Sequence, residues 1–213
     1  MFKRAPGFFD VVAYTGTNSG GANQTINHNL GVIPELVIVK ARTLSRNWFG
    51  WSSLITEQYF LELNENNPPS SGGNDKWQPN STFTSTQFGV GTQANVNSNG
   101  DNFIALLFAT LPGISKVGTF SGTGSDINVD CGFTAGARFV FIKRTDSSGD
   151  WYQWDSARGI VSGNDPYLLI NSAAAEVTNT DYIDPLNAGF TVTSSAPAAL
   201  NTSGGTYLFL AIA

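Results

Sequence analysis

The sequence predicts an all-β protein made of two tandem, similar β-sandwich domains of jelly-roll-like form. Three observations predict it. First, the chain repeats its segments in order: Val11-Val-Ala-Tyr-Thr-Gly16 returns as Val117-Gly-Thr-Phe-Ser-Gly122, and Leu36-Val-Ile-Val-Lys-Ala-Arg-Thr43 as Phe139-Val-Phe-Ile-Lys-Arg-Thr145. Asn47-Trp-Phe-Gly-Trp-Ser-Ser53 returns as Asp150-Trp-Tyr-Gln-Trp-Asp-Ser156, and Phe103-Ile-Ala-Leu-Leu-Phe-Ala109 as Tyr207-Leu-Phe-Leu-Ala-Ile-Ala213. A period of about a hundred residues is the size of a domain. Second, the repeated pieces are short runs of Val, Ile, Phe, Tyr, Trp and Thr, punctuated by Gly, Asn, Asp, Ser and Pro. Third, only 13% of residues are charged, and polarity comes instead from neutral turn-forming residues.

Taken in order, residues 1–7 read as the end of a preceding module or linker, 8–109 as the first sandwich, 110–113 as a linker and 114–213 as the second. The motif Met1-Phe-Lys-Arg-Ala-Pro-Gly7 matches Leu107-Phe-Ala-Thr-Leu-Pro-Gly113, so Phe2 takes the place of Phe108 at a strand end. The expectation is a C-terminal piece of a longer protein. Strands are predicted near 11–15, 36–41, 48–52, 59–63, 87–91 and 103–109. In the second copy they are predicted near 116–120, 138–144, 151–155, 167–171, 189–193 and 206–213. Leu36-Val-Ile-Val39, Phe139-Val-Phe-Ile142 and Leu208-Phe-Leu-Ala-Ile212 are continuous apolar runs, which predicts cover on both faces. Only Ser172-Ala-Ala-Ala-Glu-Val177 reads as helical, and it is short. Ser19-Gly-Gly21 and Ser203-Gly-Gly205 read as hairpin tips.

Composition bounds the function. A net charge of −5 without a Lys/Arg cluster argues against nucleic acid. No apolar run approaches the ~20 residues of a membrane-spanning helix, and no secretory signal is visible. Cys131 is the single cysteine, so no intrachain disulfide can form, and it reads as a small buried apolar residue. His28 is the single histidine, and no nucleophile or orienting carboxylate stands at motif spacing to it. No catalytic residue, metal site or cofactor is expected.

Four residues are candidates for ligand contact: Trp77, Trp51, Trp154 and Asp75. In the pairs Trp48/Trp51 and Trp151/Trp154, residues three apart point to opposite faces of a strand. One Trp of each pair should enter the core and the other face outward, against a sugar ring or a neighbouring subunit. Trp77 lies in the loop Asn74-Asp-Lys-Trp-Gln-Pro79, has no evident counterpart in the second copy and is expected to be exposed. Asp146-Ser-Ser-Gly-Asp150 reads as a tight turn, with Ca²⁺ chelation the sharper alternative. Asp155 and Arg158 are spaced for a local ion pair.

Arg4-Ala-Pro-Gly-Phe-Phe-Asp-Val-Val12, His28-Asn-Leu-Gly-Val-Ile-Pro-Glu35, Phe141-Ile-Lys-Arg-Thr-Asp-Ser-Ser-Gly-Asp-Trp151 and Trp154-Asp-Ser-Ala-Arg-Gly159 resemble modules near the C-termini of tailed-phage tail fibres and related phage structural proteins. The resemblance implies a virion component of tail-fibre type, assembled in the host cytoplasm. It implies a homo-oligomer, with a trimer favoured, and contacts with other phage tail proteins and with bacterial surface glycan. Two functions follow: a receptor-binding module, or a connector or shaft segment that touches only other virion proteins. A polysaccharide-degrading enzyme would need a pair of acidic residues across a groove, and the carboxylates here neither repeat nor cluster.

Overall fold

The computed structural model describes residues 3–72 and 75–213. The match of Phe2 to Phe108 therefore lies outside the described residues. The chain divides into two compact units: Met1–Leu63 with Pro69–Thr110, and Asn64–Pro68 with Leu111–Ala213.

Unit 1 contains β1 (Phe9–Thr15), β2 (Gln24–Asn27), β3 (Leu36–Ala41), β4 (Phe49–Ser52), β5 (Tyr59–Glu62), β6 (Ser70–Ser71), α1 (Pro79–Thr82), β7 (Gln87–Val90), α2 (Ala94–Asn97) and β8 (Asn102–Phe108). Its larger sheet has the order β1-β8-β3-β4-β5-β6, and β2 pairs with β7 in the smaller one. Unit 2 contains β9 (Ser115–Ser121), β10 (Ile127–Asp130), β11 (Phe139–Arg144), β12 (Trp151–Asp155), β13 (Leu168–Leu169), β14 (Ile183–Leu186), β15 (Gly189–Val192), α3 (Ala198–Asn201) and β16 (Thr206–Ile212). Its sheets have the orders β9-β16-β11-β12-β13 and β10-β15-β14. The strand order of the larger sheets is thus the same in both units from β1 to β5 and from β9 to β13. Among the described residues no helix is long and apolar enough to cross a membrane.

Strand alternation selects each core. In unit 1 Val37 and Val39 of β3, Phe103, Ala105 and Leu107 of β8, and Phe49 and Trp51 of β4 meet Ile26, Phe88 and Val90 of the smaller sheet. In unit 2 Val140 and Ile142, Tyr207, Phe209 and Ala211, and Tyr152 and Trp154 meet Val129, Phe190, Val192 and Ile183. The continuous apolar runs are buried on both faces: Leu36 and Ile38 alternate with Val37 and Val39 and are 2% and 5% exposed.

Local chemistry recurs where the ladders correspond. Tyr14 stacks on Phe103 at 5.1 Å and 14°, and Phe120 stacks on Tyr207 at 4.9 Å and 15°. The hydroxyl sits on opposite members of the two pairs. Tyr14 donates to Val96 O, and Tyr207 donates to Ala198 O. A Cβ at Gly16 would stand 2.1 Å from Ser98 O, and one at Gly122 2.2 Å from Thr202 O, so glycine is required at both crossings.

Volume is exchanged across one strand pair. Val12 faces Ala105 in unit 1, whereas Gly118 faces Phe209 in unit 2. A Cβ on Gly118 would lie 2.4 Å from Phe209 Cζ. The missing side chain therefore makes room for the larger ring opposite.

Several expectations are corrected. Ser172–Val177 is not helical; Tyr167 and Val177 exchange backbone hydrogen bonds instead. The bridge to Tyr167 holds Val177 in extended backbone, which a helical turn cannot adopt. Ser19–Gly21 and Ser203–Gly205 do not connect hairpin strands: the first follows β1 on the way to β2, and the second follows α3. The strands β2, β6, β10 and β14 are absent from the sequence reading, because two to four residues give little periodic signal. Asn64–Pro68 belong with unit 2, although the sequence places them in the first repeat. There Asn66 O accepts from Gly149 N and from Lys143 Nζ.

Candidate functional site

A buried asparagine holds the loops at one end of each unit. Asn97 Oδ1 accepts from Thr17 N, and its Nδ2 donates to Ala22 O and Gly91 O. Asn201 Oδ1 accepts from Thr123 N and Gly124 N, and its Nδ2 donates to Ser125 O and Thr193 O. Each amide satisfies backbone groups that the crossing loops would otherwise leave unpaired. This end of the scaffold is built alike in both units.

The corner beside β5 and β13 is not. In unit 1 the Lys76 ammonium sits 3.7 Å from the Phe60 ring centroid and 5.4 Å from that of Phe49. Burial pulls the Lys76 pKa below the usual lysine range, and the charges of Glu62 and Asp75 oppose that shift. The ladders identify the matching residues of unit 2. Phe49 pairs with Val39 as Tyr152 pairs with Ile142, and Leu61 pairs with Gly50 as Leu168 pairs with Gln153, which sets Phe60 against Tyr167. Gly91 N donates to Lys76 O as Thr193 N donates to Tyr182 O, which sets Lys76 against Tyr182. Ring geometry agrees: Phe49 and Phe60 lie 5.7 Å apart at 50°, Tyr152 and Tyr167 5.1 Å apart at 50°.

In unit 2 the corner is therefore three tyrosines. Tyr182 stacks on Tyr167 at 5.6 Å, and Tyr152 stacks on Trp154 at 5.7 Å. Unlike Tyr14 and Tyr207, these three place no hydroxyl in a hydrogen bond among the described residues. Acidic groups surround them. Asp150 accepts from Asn171 Nδ2 and raises the pKa of Tyr152 and Tyr167 after burial does. Asp165 is fully buried, and its two oxygens accept from Tyr182 N and Ile183 N. Burial, and then the nearby Asp181, push the Asp165 carboxyl up to about 7. Asp181 Oδ1 is buried without a hydrogen-bond partner.

The tryptophan candidates lie elsewhere, and the expectation of exposure is corrected. Trp77 is 0% exposed. Its backbone bridges Val90 just as Ile183 pairs with Val192, so it extends the smaller sheet and has a counterpart after all. Trp51 packs edge-on against Phe83 at 4.5 Å, and Trp154 is sealed in the core of unit 2. None of the three offers a ring face to solvent. Of the outward partners, Trp48 is 38% exposed as expected, but Trp151 is 1% exposed and stacks on Phe141 at 4.9 Å. Asp75 is exposed beside Lys76; its loop neighbours Gly73 and Asn74 lie outside the described residues.

The remaining polar candidates have local roles. Asp146 pairs with Arg144 and accepts from Thr206 N, whereas Asp150 turns to Asn171, so the acidic turn divides its carboxylates. Among the described residues no group of three or more His, Cys, Asp or Glu could hold a metal ion. Asp155 pairs with Arg158, which also reaches Glu176. His28 is buried and accepts at Nδ1 from Leu30 N, with burial holding its pKa below the usual histidine range. Cys131 is buried, and desolvation pushes its thiol up to about 12, far from a reactive thiolate.

A family model described as a domain of unknown function, DUF7483, matches residues 4–213. The chain belongs to this DUF7483 family. No curated protein and no solved structure matches it. The DUF7483 match runs through both units, so each lies within the extent of the family.

The sequence reading missed Tyr152, Tyr167 and Tyr182. The repeat would have disclosed them had Trp77 been aligned with Ile183. Loops of different length between β5 and β7 and between β13 and β15 hid that register.

Proposed function

We propose that this protein is a non-enzymatic virion module of tail-fibre type that presents loops from a rigid β-sandwich scaffold to the bacterial surface, with glycan as the ligand class. The supporting observation is where the units differ. Their asparagine clips, stacked ring pairs and glycine crossings are kept, while the β5/β13 corner changes from Phe49, Phe60 and Lys76 to Tyr152, Tyr167 and Tyr182. Of the changed residues Tyr182 is half-exposed, in the loop that leads into β14, and loops on a constant scaffold are where binding surfaces vary. The resemblance of the repeated segments to phage fibre modules supports the virion setting, trimeric assembly and contact with other tail proteins.

The connector reading draws on a different observation, the complete burial of Trp77 and Trp154. A glycan array and a host-cell binding assay on the purified protein separate the two. Saturable binding to a surface glycan supports adhesion, and its absence with retained binding to virion proteins supports the connector. Mass photometry tests assembly: a monodisperse monomer at micromolar concentration overturns the trimer.

A further inference from the structure

We propose that unit 1 carries a docking seat for a second copy of this chain, in which Lys40 and the Arg46 amide receive the exposed segment 172–176 from the unit 2 of that copy. The inference supplies a contact for the assembly named in the adhesion reading and is independent of glycan binding.

Unit 2 shows such a seat in use. Its turn between β11 and β12 aims two donors at one carbonyl: Lys143 Nζ and Gly149 N donate to Asn66 O at 3.0 and 2.9 Å. Asn66 lies in Asn64–Pro68, the segment that follows β5 but belongs with unit 2. Lys143 Nζ also donates to Gly149 O, which fixes the ammonium over the turn. A charged donor and an amide on one oxygen make a strong backbone clasp. Lys143 and Trp151 are 0% and 1% exposed there.

Unit 1 builds the same turn. Lys40 Nζ donates to Arg46 O as Lys143 Nζ does to Gly149 O. Val39 pairs with Phe49 as Ile142 pairs with Tyr152, so one step further Lys40 stands at Trp48 as Lys143 stands at Trp151. Among the described residues Lys40 reaches no second acceptor and Arg46 N donates to none. Lys40 is half-buried, and Trp48 is 38% exposed. The arginine side chain leaves the seat clear, since a Cβ at Gly149 would face Arg144 and Ala199, not Asn66.

The occupant follows from the ladders. Leu63 N donates to Trp48 O as Ile170 N donates to Trp151 O, and counting on from there sets Asn66 against Ala173. Asn66 O is taken, whereas among the described residues Ala173 O accepts nothing, and residues 172–176 are exposed throughout. Ile170 just before them is 41% exposed, but its equivalent Leu63 is 6% exposed. The clasp reads backbone, so alanine serves where asparagine does. Charge agrees: residues 40–47 carry Lys40, Arg42 and Arg46 and no carboxylate, with Asp101 beside Arg46, while residues 171–186 carry Glu176, Asp181 and Asp184 and no Lys or Arg. The contact joins different surfaces of two copies, and repeated around a closed ring it gives a cyclic oligomer.

The test uses the full chain, with sedimentation equilibrium and amide hydrogen exchange read from micromolar to millimolar concentration. Self-association is expected, with the Arg46 amide exchanging more slowly as concentration rises. Lys40→Met removes the ammonium, and Ala174→Arg sets a guanidinium against Lys40 and Arg46. Each should weaken association at least tenfold with circular dichroism near wild type. Each variant keeps one intact half of the contact, so mixing them should give a heterodimer that neither forms alone. If Lys40→Met fails to fold, Ala174→Arg, at an exposed residue, carries the test. A monomer at every concentration overturns the inference, as does undiminished association of a folded variant. An oligomer that forms without protecting the Arg46 amide overturns this contact and leaves the trimer standing. Slow exchange at Arg46 that does not depend on concentration assigns the seat to a segment of the same chain and overturns the second copy.

Discussion

Exchanging the Gly118/Phe209 pair for its unit 1 equivalent tests whether the two units are alternative packings of one scaffold. Phe209 is 3% exposed and packs edge-on against Phe190 at 5.4 Å. Phe209→Ala empties that space and should cost ~3–5 kcal/mol. Gly118→Val adds side-chain atoms where even a Cβ would come within 2.4 Å of Phe209 Cζ. Overpacking of that kind costs about 1–3 kcal/mol or more. Independent effects would sum to roughly 4–8 kcal/mol. The double variant instead rebuilds the Val12/Ala105 pair of unit 1, with valine filling part of the emptied space. It should be more stable than that sum by ~1–3 kcal/mol. Guanidinium unfolding of the full chain would read the cycle, with hydrogen exchange at β9 and β16 assigning the transition to unit 2. Additivity within ~0.5 kcal/mol would refute the reasoning, because residues sharing one volume cannot act independently.

Other outcomes follow from single contacts. Asn201→Ala should destabilise unit 2 by about 2–4 kcal/mol, since it strands backbone groups of Thr123, Gly124, Ser125 and Thr193, and Asn201→Asp should not rescue the lost donors; thermal melting reads both. Trp77→Ala should lower stability by ~3–5 kcal/mol and leave host-cell binding per folded molecule unchanged; an unaltered melting temperature with lost binding contradicts its burial. Two buried groups predict opposite pH slopes. Asp165, raised from 3.8 to about 7, lets the folded state bind more protons across that window, so stability should fall as pH rises through it, and Asp165→Asn should flatten the slope. Lys143, fully buried and lowered from 10.5 to about 8, lets the unfolded state bind more protons between those values, so stability should rise with pH there, and Lys143→Met should remove the rise. Denaturation midpoints from pH 4 to 10 measure both.

The sequence by itself determined the all-β class and most long strands, because β3, β8, β11 and β16 are apolar runs with few other solutions. It also displayed the recurrence of Gly16 as Gly122 and of Lys40 as Lys143. Tertiary structure decided what those residues do. Lys40 Nζ reaches Arg46 O, whereas Lys143 is fully buried with Gly149 O, Asn66 O and the Trp151 ring around it. No spacing rule brings residue 66 to residue 143. The candidate site divides in the same way. Tryptophan is conspicuous in a sequence, and that drew notice to Trp77, but its exposure depends on whether its segment stands away from the unit or lies along the edge of the smaller sheet. A single bridge to Val90 holds the segment at that edge, and the ring is fully buried. The tyrosine corner gathers Tyr152, Tyr167 and Tyr182 from separate segments across loops of unequal length. Only the hydrogen-bond ladders fix that register, because the physical signal of a site is convergence in space, and a linear pattern does not encode it.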